Sequence, residues 1–142
     1  MTPGLDRELL AERTATVLGH LDRVDAHLPS NPDDLRPLRS ETDTVILHLW
    51  QAVQVTLDLA TSACVRLGLG APGTYAEAFR QLADGGIIDR DLADRLARAA
   101  GVRNLIVHGY GRLDLRRVHA AAADGPADLR AFLAALRDAP PR

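Results

Sequence analysis

The sequence contains a single cysteine, few aromatic residues and no lysine among its 17 basic residues. One cysteine excludes an intramolecular disulfide, and Cys64 is expected to be a small core residue because it lies in an apolar helical pattern. With aromatic residues at 4%, the core must be built from Leu, Val, Ile and Ala, which favours helices packed on helices. No apolar run approaches the roughly 18 residues of a membrane span, and no basic-then-apolar leader opens the chain. We therefore expect a cytoplasmic protein with no membrane association.

Basic charge is concentrated in one part of the chain, although the net charge is −2. Residues 90–117 contain seven arginines and three aspartates, a balance of +4, which leaves −6 for all other residues. An arginine-rich segment in an acidic protein is typical of a local phosphate-binding face. The same residues would also fit solvated helix faces that carry ion pairs such as Asp91–Arg95.

Hydrophobic periodicity predicts an all-α fold, a helical bundle of about five helices in one domain that spans residues 1–142. Two long helices, at about 5–28 and 41–67, are expected to pair antiparallel because their apolar stripes are the longest. Ser40 is expected to cap the second of them. The shorter helices would lie against this pair.

Three further starts of helices are indicated by capping residues. Thr74 begins a capping-box sequence for a helix to about residue 83, and Asp89 is expected to cap a helix to about residue 107. Asp114 is expected to cap a helix to about residue 122. The sequence Asp-Gly-Pro at 124–126 predicts a turn, followed by a last short helix at 127–138.

The segment 103–110, Arg-Asn-Leu-Ile-Val-His-Gly-Tyr, carries the side chains with the most chemistry. On a regular helix Asn104 and His108 share a face, whereas Arg103 and His108 differ by about 140°. Arg103 and His108 can therefore converge only if the helix ends near residue 107, or if a second chain brings its own pair alongside. Glycines at 109 and 111 favour a helix end here.

These residue types suit cleavage of RNA without a metal. A neutral imidazole at His108 can take the 2′-hydroxyl proton, or a protonated one can support the leaving oxygen. The Arg103 guanidinium can hold the scissile phosphate through two hydrogen bonds, and Tyr110 can position the phosphate or stack on a base. In the alternative without chemistry, His108 only complements the helix dipole and Tyr110 is a loop aromatic. No histidine or carboxylate pair has metal-ligand spacing, so no metal is expected.

The segment 103–110 resembles the Arg-x4-His-x-Tyr signature of HEPN domains, and specifically that of the HepT toxins. The resemblance extends over nearly the whole chain. Further stretches resemble the first interhelical turn of that family, its second helix, its third helix and its approach to the fourth: 31–35, 43–47 with 57–60, 75–79 with Leu82, and 86–88.

The resemblance implies a helical ribonuclease toxin that acts as a homodimer and needs no cofactor of its own. Its partner would be an MntA-type nucleotidyltransferase antitoxin, which uses ATP and magnesium and transfers AMP onto the signature tyrosine, Tyr110. Arg103 and His108 would form the catalytic pair, with Asn104 as a supporting polar group. An added AMP would place bulk and negative charge beside the arginine that holds RNA phosphate.

The second helix departs from the family pattern. Members often carry an Arg and a Glu where this chain has Gln51 and Gln54. Because such a pair could tune the active-site arginine, Asp43 and Asp58 are expected to take over part of that role. Candidates for contact with the RNA backbone are three arginines that follow the signature: Arg112, Arg116 and Arg117.

Two other functions remain open from the sequence. The chain could be a non-catalytic helical subunit that binds the substrate of a two-component nucleotidyltransferase, or a helical dimer with a purely structural role. Intact Arg103, Asn104, His108 and Tyr110 favour the ribonuclease, since a scaffold has no need of all four. A structural role would leave the arginine-rich segment 90–117 unexplained.

Overall fold

The computed structural model describes residues 4–109 and 112–140, and within these ranges the chain forms helices and no strands. A short 3-10 turn lies at Pro32–Asp34. The α-helices are α1 (Arg7–His27), α2 (Ser40–Arg66), α3 (Tyr75–Asp84), α4 (Arg90–His108) and α5 (Leu115–Asp138). The predicted all-α fold with about five helices is confirmed.

The long helices α1 and α2 pack antiparallel and make the most extensive contact in the bundle. Asp6, just before α1, lies 3.9 Å from Arg66 at the end of α2. Further along the pair, the Nδ1 atoms of His20 and His48 are 2.9 Å apart. Residue numbers thus rise along one helix as they fall along the other, as the sequence predicted.

Side-chain caps define where most of the helices begin. The side chain of Thr74 accepts from the N–H of Glu77, that of Asp89 from Leu92, and that of Asp114 from the N–H groups of residues 116 and 117. Each of these satisfies backbone donors that have no partner inside the helix. The predicted caps at Thr74, Asp89 and Asp114 are confirmed.

The start of α2 differs from the prediction. Ser40 is the first helical residue, and Arg39 precedes the helix without a side-chain cap. The buried Thr42 fixes this end instead, because its hydroxyl donates to the carbonyl oxygen of Arg36 at 2.6 Å. A tertiary contact of this kind has no signature in the local sequence, and the prediction of Ser40 as the cap was wrong.

The predicted turn at 124–126 was also wrong, since α5 runs without interruption through Pro126. The buried positions of α5 follow one another at helical spacing on both sides of the proline: Val118, Ala122, Pro126, Leu129, Leu133 and Leu136. Proline costs a helix an N–H and about 3 kcal/mol in an isolated chain. The continuous apolar stripe, buried against the other helices, outweighs that local preference.

The hydrophobic core draws on residues of all five helices and consists mainly of Leu, Val and Ala. Its two phenylalanines, Phe79 and Phe132, meet edge to face with ring centroids 5.4 Å apart. Cys64 is buried, its thiol donates to the Ala78 carbonyl oxygen at 3.2 Å, and burial raises the thiol pKa to about 11. Cys64 is the core residue that the sequence predicted. None of the described helices has the length and apolarity to span a membrane.

Candidate active site

The last turns of α4 carry three of the predicted site residues. Arg103 is half-buried, whereas Asn104 and His108 are exposed, and α4 continues through His108. Gly109 ends the helix in a conformation in which an added Cβ would overlap the Leu105 carbonyl oxygen. The glycine-bounded helix end is therefore a requirement of the backbone, and it fixes where His108 lies.

The guanidinium of Arg103 is held by two neutral acceptors. Its Nε donates to Oε1 of Gln54 on α2 at 2.9 Å, and its Nη1 donates to Oδ1 of the adjacent Asn104 at 3.1 Å. A guanidinium has five N–H groups in a planar fork, so three remain on the Nη1 and Nη2 side. That side has the geometry to bind a phosphate through two parallel hydrogen bonds.

Gln54 lies at the centre of this network. Its Nε2 donates to Oδ1 of Asp58 at 3.1 Å and to the hydroxyl oxygen of Tyr75 at 3.4 Å. The structure thus places Asp58 in the Arg103 network, where Gln54 connects it to the guanidinium. Asp43 does not join it, because Asp43 precedes Gln54 by three helical turns, a rise of about 16 Å.

A cleft of about 710 Å³ lies between α3 and α4, beside the Arg103 network. Tyr75 and Asn104, which connect it to Gln54 and Arg103, are among its lining residues. The remaining lining residues are small, hydroxyl-bearing or proline: Thr61, Pro72, Gly73, Thr74, Ala76, Ala97, Ala100 and Gly101. His108 follows Asn104 by one helical turn on the same face of α4. We call this cavity the α3–α4 cleft.

A second cleft, of about 680 Å³, lies on the other side of α4 and is called here the α4–α5 cleft. Arg95, Arg98 and Arg117 line it above an apolar floor, together with Asp124 and Asp128. Arg95 donates to Asp128 at 3.0 Å. The side chains of Arg98 and Arg117 are exposed and form no hydrogen bond or ion pair with any described residue.

The other predicted arginines and the signature tyrosine have different environments. Arg112 is exposed and Arg116 forms an ion pair with Asp33, so that its charge is partly compensated. Arg117 lines the α4–α5 cleft. Tyr110, the predicted modification site, lies outside the described residues.

Within one chain Arg103 and His108 do not converge. Both belong to the regular helix α4, where five residues correspond to a rotation of about 140°. Arg103 reaches inward to α2, whereas His108 is exposed. The helix ends at His108, close to the predicted position, and this end does not bring the two side chains onto one face.

Sequence reasoning did not find the part played by Tyr75. Tyr75 is the first residue of α3 and follows the cap Thr74. From the sequence it was interpreted only as part of a helix start. The i,i+4 spacing of Gln54 and Asp58 is the one local signal of the network, since such pairs face each other on a helix. In the described part of the chain, no three His, Cys, Asp or Glu side chains are grouped so that they could hold a metal ion.

Comparison with solved structures identifies the fold. The chain superposes with a TM-score of 0.81 on the tri-AMPylated HEPN toxin of Shewanella oneidensis in complex with MNT antitoxin, at 24% identity over 95% of this chain and 99% of that one. A toxin–antitoxin structure with AMP-PNP gives 0.83, at 23% identity over 93% and 99%. The fold is that of a HEPN toxin.

The family follows from the sequence comparison. Residues 17–136 match the model of the family described as Ribonuclease HepT-like, and the chain belongs to that family. The mRNA nuclease HepT of Shewanella oneidensis is 34% identical over 73 residues, which are 51% of this chain and 55% of that protein. The aligned segment thus spans about half the length of this curated relative. The resemblance inferred from residues 103–110 is confirmed at the level of the family.

Proposed function

We propose that this protein is the ribonuclease toxin of a toxin–antitoxin pair, with Arg103 and His108 as its catalytic residues. The observation that carries the proposal is the half-buried Arg103 guanidinium, which neutral acceptors hold beside the α3–α4 cleft and whose three remaining N–H groups have no acceptor among the described residues. Membership of the ribonuclease HepT-like family supports the same activity.

The proposed site is shared between two copies of the chain. In a contact with two-fold symmetry, if residue 103 of one copy faces residue 108 of the other, the reverse contact follows by symmetry. Two antiparallel α4 helices that cross between these positions would meet this condition. The rotation of about 140° that separates Arg103 from His108 within one helix then ceases to be an obstacle.

In the proposed reaction His108 of one copy removes the proton from the 2′-hydroxyl of the RNA. The 2′-oxygen forms a bond to phosphorus, the bond from phosphorus to the 5′-oxygen breaks, and that oxygen takes a proton from water. The products are a 2′,3′-cyclic phosphate and a 5′-hydroxyl. Arg103 of the other copy holds the phosphate and stabilises the negative charge that develops on it. No metal is required, because side chains supply both the base and the cation.

The assignment is tested by cleavage of a labelled single-stranded RNA. Arg103→Ala and His108→Ala are each expected to lower kcat/KM by about 100-fold or more, as loss of a phosphate-binding cation or of a base does. Arg90→Ala is the matched control, because Arg90 is an exposed arginine at the opposite end of α4 that pairs with Asp84. Wild-type rates in both active-site variants would overturn the proposal.

The shared site makes a separate prediction for mixed dimers. Equal amounts of Arg103→Ala and His108→Ala chains, unfolded and refolded together, would form dimers in which one of the two shared sites is complete. Activity should therefore return in the mixture and in neither variant alone. A mixture that stays as inactive as its components would show that each chain uses its own pair.

Control by a nucleotidyltransferase antitoxin is the second part of the proposal. Its support is the fold shared with the AMPylated Shewanella toxin, which was solved with its MNT antitoxin. With such a partner, ATP and magnesium, AMP is expected to be added to Tyr110 and to suppress cleavage. Tyr110→Phe should abolish the added mass, whereas Tyr75→Phe, a change of the only other tyrosine, should leave it in place. Modification that persists in Tyr110→Phe would contradict the assignment.

A further inference from the structure

The α4–α5 cleft combines an apolar floor with charged walls, and the proposed active site does not include it. Its volume of about 680 Å³ lies within the range of about 300–1,000 Å³ that is typical of ligand-binding cavities. Four aliphatic side chains contribute to the floor: Leu49 and Val53 of α2, Val102 of α4 and Leu129 of α5. A floor of this kind can take a flat ring out of water.

The walls of the α4–α5 cleft offer charged groups of both signs to a ligand. Arg95 and Asp128 already pair with each other at 3.0 Å. Arg98 on the α4 wall and Arg117 on the α5 wall have no partner among the described residues, and neither has Asp124. Each of these two arginines can bind a phosphate through two N–H groups or stack its guanidinium plane on a nucleobase. The carboxylate of Asp124 can accept from a ribose hydroxyl or from an amino group.

Charge complementarity favours a nucleotide over other ligands that would cover an apolar floor. A fatty acid would match the floor and the arginines, but it would leave the Asp124 carboxylate without a donor. A nucleotide of single-stranded RNA supplies a base for the floor, phosphates for the arginines and donors for the carboxylate. The α5 wall rises by about 16 Å between residues 117 and 128, and its exposed arginine opens it to solvent, so a strand can enter.

We propose that the α4–α5 cleft is a subsite for one nucleotide of single-stranded RNA: the base lies on the aliphatic floor, and Arg98 and Arg117 bind the phosphates on either side of it. The inference rests on the proposed function in that the ligand is RNA, whereas its contacts involve neither Arg103 nor His108. The protein therefore binds a base as well as phosphates, at a place outside its proposed catalytic residues.

Base recognition is tested with two single-stranded oligomers of equal length, one of adenylates and one whose sugars carry no base. The protein carries His108→Ala, so that RNA stays intact, and binding is followed by fluorescence anisotropy. We expect the adenylate oligomer to bind about tenfold more tightly, the lower end of the range for one base stacked on a side chain. Equal affinities would indicate a purely electrostatic surface and would overturn the inference.

Substitutions in the cleft assign the base preference to its floor. Ala121→Leu fills the floor without a change of charge, so it should lower the preference from about tenfold to nearly none and leave the slope of log Kd against log salt as it was. Ala99→Leu makes the same test from the α4 wall. Ala123→Leu is the matched control, because Ala123 is exposed on α5 and does not line the cleft.

The two arginines should affect the other readout. Arg98→Ala with Arg117→Ala is expected to flatten the salt dependence of both oligomers by up to about 1.4, since two phosphate contacts are lost whether or not a base is present. Circular dichroism establishes that each variant is folded. A base preference that persists in folded Ala121→Leu and Ala99→Leu proteins would place the base elsewhere and would overturn the inference.

Competition and oligomeric state distinguish RNA from other occupants of the cleft. AMP offers the same base with one phosphate, so it should displace the adenylate oligomer only at about 100-fold higher concentration or more. Displacement by AMP at the Kd of the oligomer would assign the cleft to a free nucleotide, and dissociation of a dimer by Ala121→Leu would assign it to a second copy; either result would overturn RNA as the ligand. Full activity of Arg103→Ala and His108→Ala would instead contradict the proposed catalytic site, so the two failures are distinguishable.

Discussion

The two clefts beside α4 differ in charge, although the same helix forms a wall of each. Among the described residues that line the α3–α4 cleft, the Tyr75 phenol is the single ionisable group. The α4–α5 cleft carries three arginines and two aspartates around an apolar floor. Two of those arginines, Arg98 and Arg117, have no partner among the described residues.

If the proposed function holds, we expect this difference to separate long-range attraction of RNA from its cleavage. The arginine-rich segment 90–117 supplies much of its charge to the α4–α5 cleft, and unpaired arginines there suit non-specific attraction of an RNA backbone. The candidate active site has one arginine, Arg103, and is distinguished by the neutral groups that hold it. Charge is therefore concentrated in the α4–α5 cleft, whereas the proposed catalytic arginine is a single side chain of the same helix held by neutral acceptors.

Replacing Arg103 by lysine should have the largest effect and would test whether geometry or charge matters at the α3–α4 cleft. Lysine keeps the charge but lacks the planar fork, so it cannot bind Gln54 and a phosphate through separate N–H groups of one rigid plane. We expect kcat/KM for RNA cleavage to fall by about 100-fold. Arg98→Lys serves as the control and should cost little. Equal effects of the two changes would remove the distinction between the clefts.

An intermediate effect is expected from removing the two arginines of the α4–α5 cleft that have no partner in the described part of the chain. Arg98→Ala with Arg117→Ala is expected to weaken RNA binding by about tenfold at low salt, while kcat stays near the wild-type value. The salt dependence of log Kd should flatten by up to about 1.4, corresponding to two phosphate contacts on single-stranded RNA. Binding measured by fluorescence anisotropy would contradict this role for the cleft if neither the affinity nor its slope changed.

Two glycines, Gly101 inside α4 and Gly109 just after its last residue, test whether the helix end depends on glycine. Gly109→Ala should lower the free energy of unfolding by about 1–2 kcal/mol, because the new methyl group would overlap the Leu105 carbonyl oxygen. Gly101→Ala should raise it by about 0.5–1 kcal/mol, since nothing lies within 4 Å of its added Cβ. Urea unfolding of both variants measures the contrast. A stabilised Gly109→Ala protein would disprove the requirement for glycine at this helix end.

The smallest expected effect is that of His48, which is half-buried whereas His108 is exposed. Burial, and then the neighbouring His20, lower the pKa of His48 below its ordinary value of 6.5, and Arg23 and His27 add to the shift. The hydrogen bond between the two Nδ1 atoms needs one N–H donor and one unprotonated acceptor. It therefore cannot form when both rings are imidazolium ions.

Acid should therefore destabilise the contact between α1 and α2. A lowered folded-state pKa means that the unfolded chain binds the proton more readily, so stability is lost as the pH falls past 6.5 and the loss is complete below the folded-state value. The change in Tm between about pH 8 and pH 5.5 should be smaller for His48→Gln than for wild type, while the exposed His108→Gln should keep it. An unaltered pH dependence in His48→Gln would exclude this contribution.

Much of the fold could be predicted from the sequence, because local signals and burial agree there. Thr74, Asp89 and Asp114 cap helices as their side chains suggest, and the apolar stripes gave the antiparallel pairing of α1 and α2. Prediction failed where a distant contact replaced a local preference. The hydroxyl of Thr42 fixed the start of α2, and the buried stripe of α5 carried the helix through Pro126.

The candidate site, like the fold, was predicted from the sequence only in part. Order and spacing along the chain identified Arg103, Asn104 and His108, placed them at the end of α4, and pointed to the family that the comparison confirmed. That Arg103 turns inward to Gln54, and that Asp58 rather than Asp43 joins the network, depended on how α2 and α3 pack against α4. A helical sequence fixes which side chains share a face, because its periodicity is a local property of the backbone. The groups that meet those side chains come from other helices, and only packing brings them within hydrogen-bonding distance.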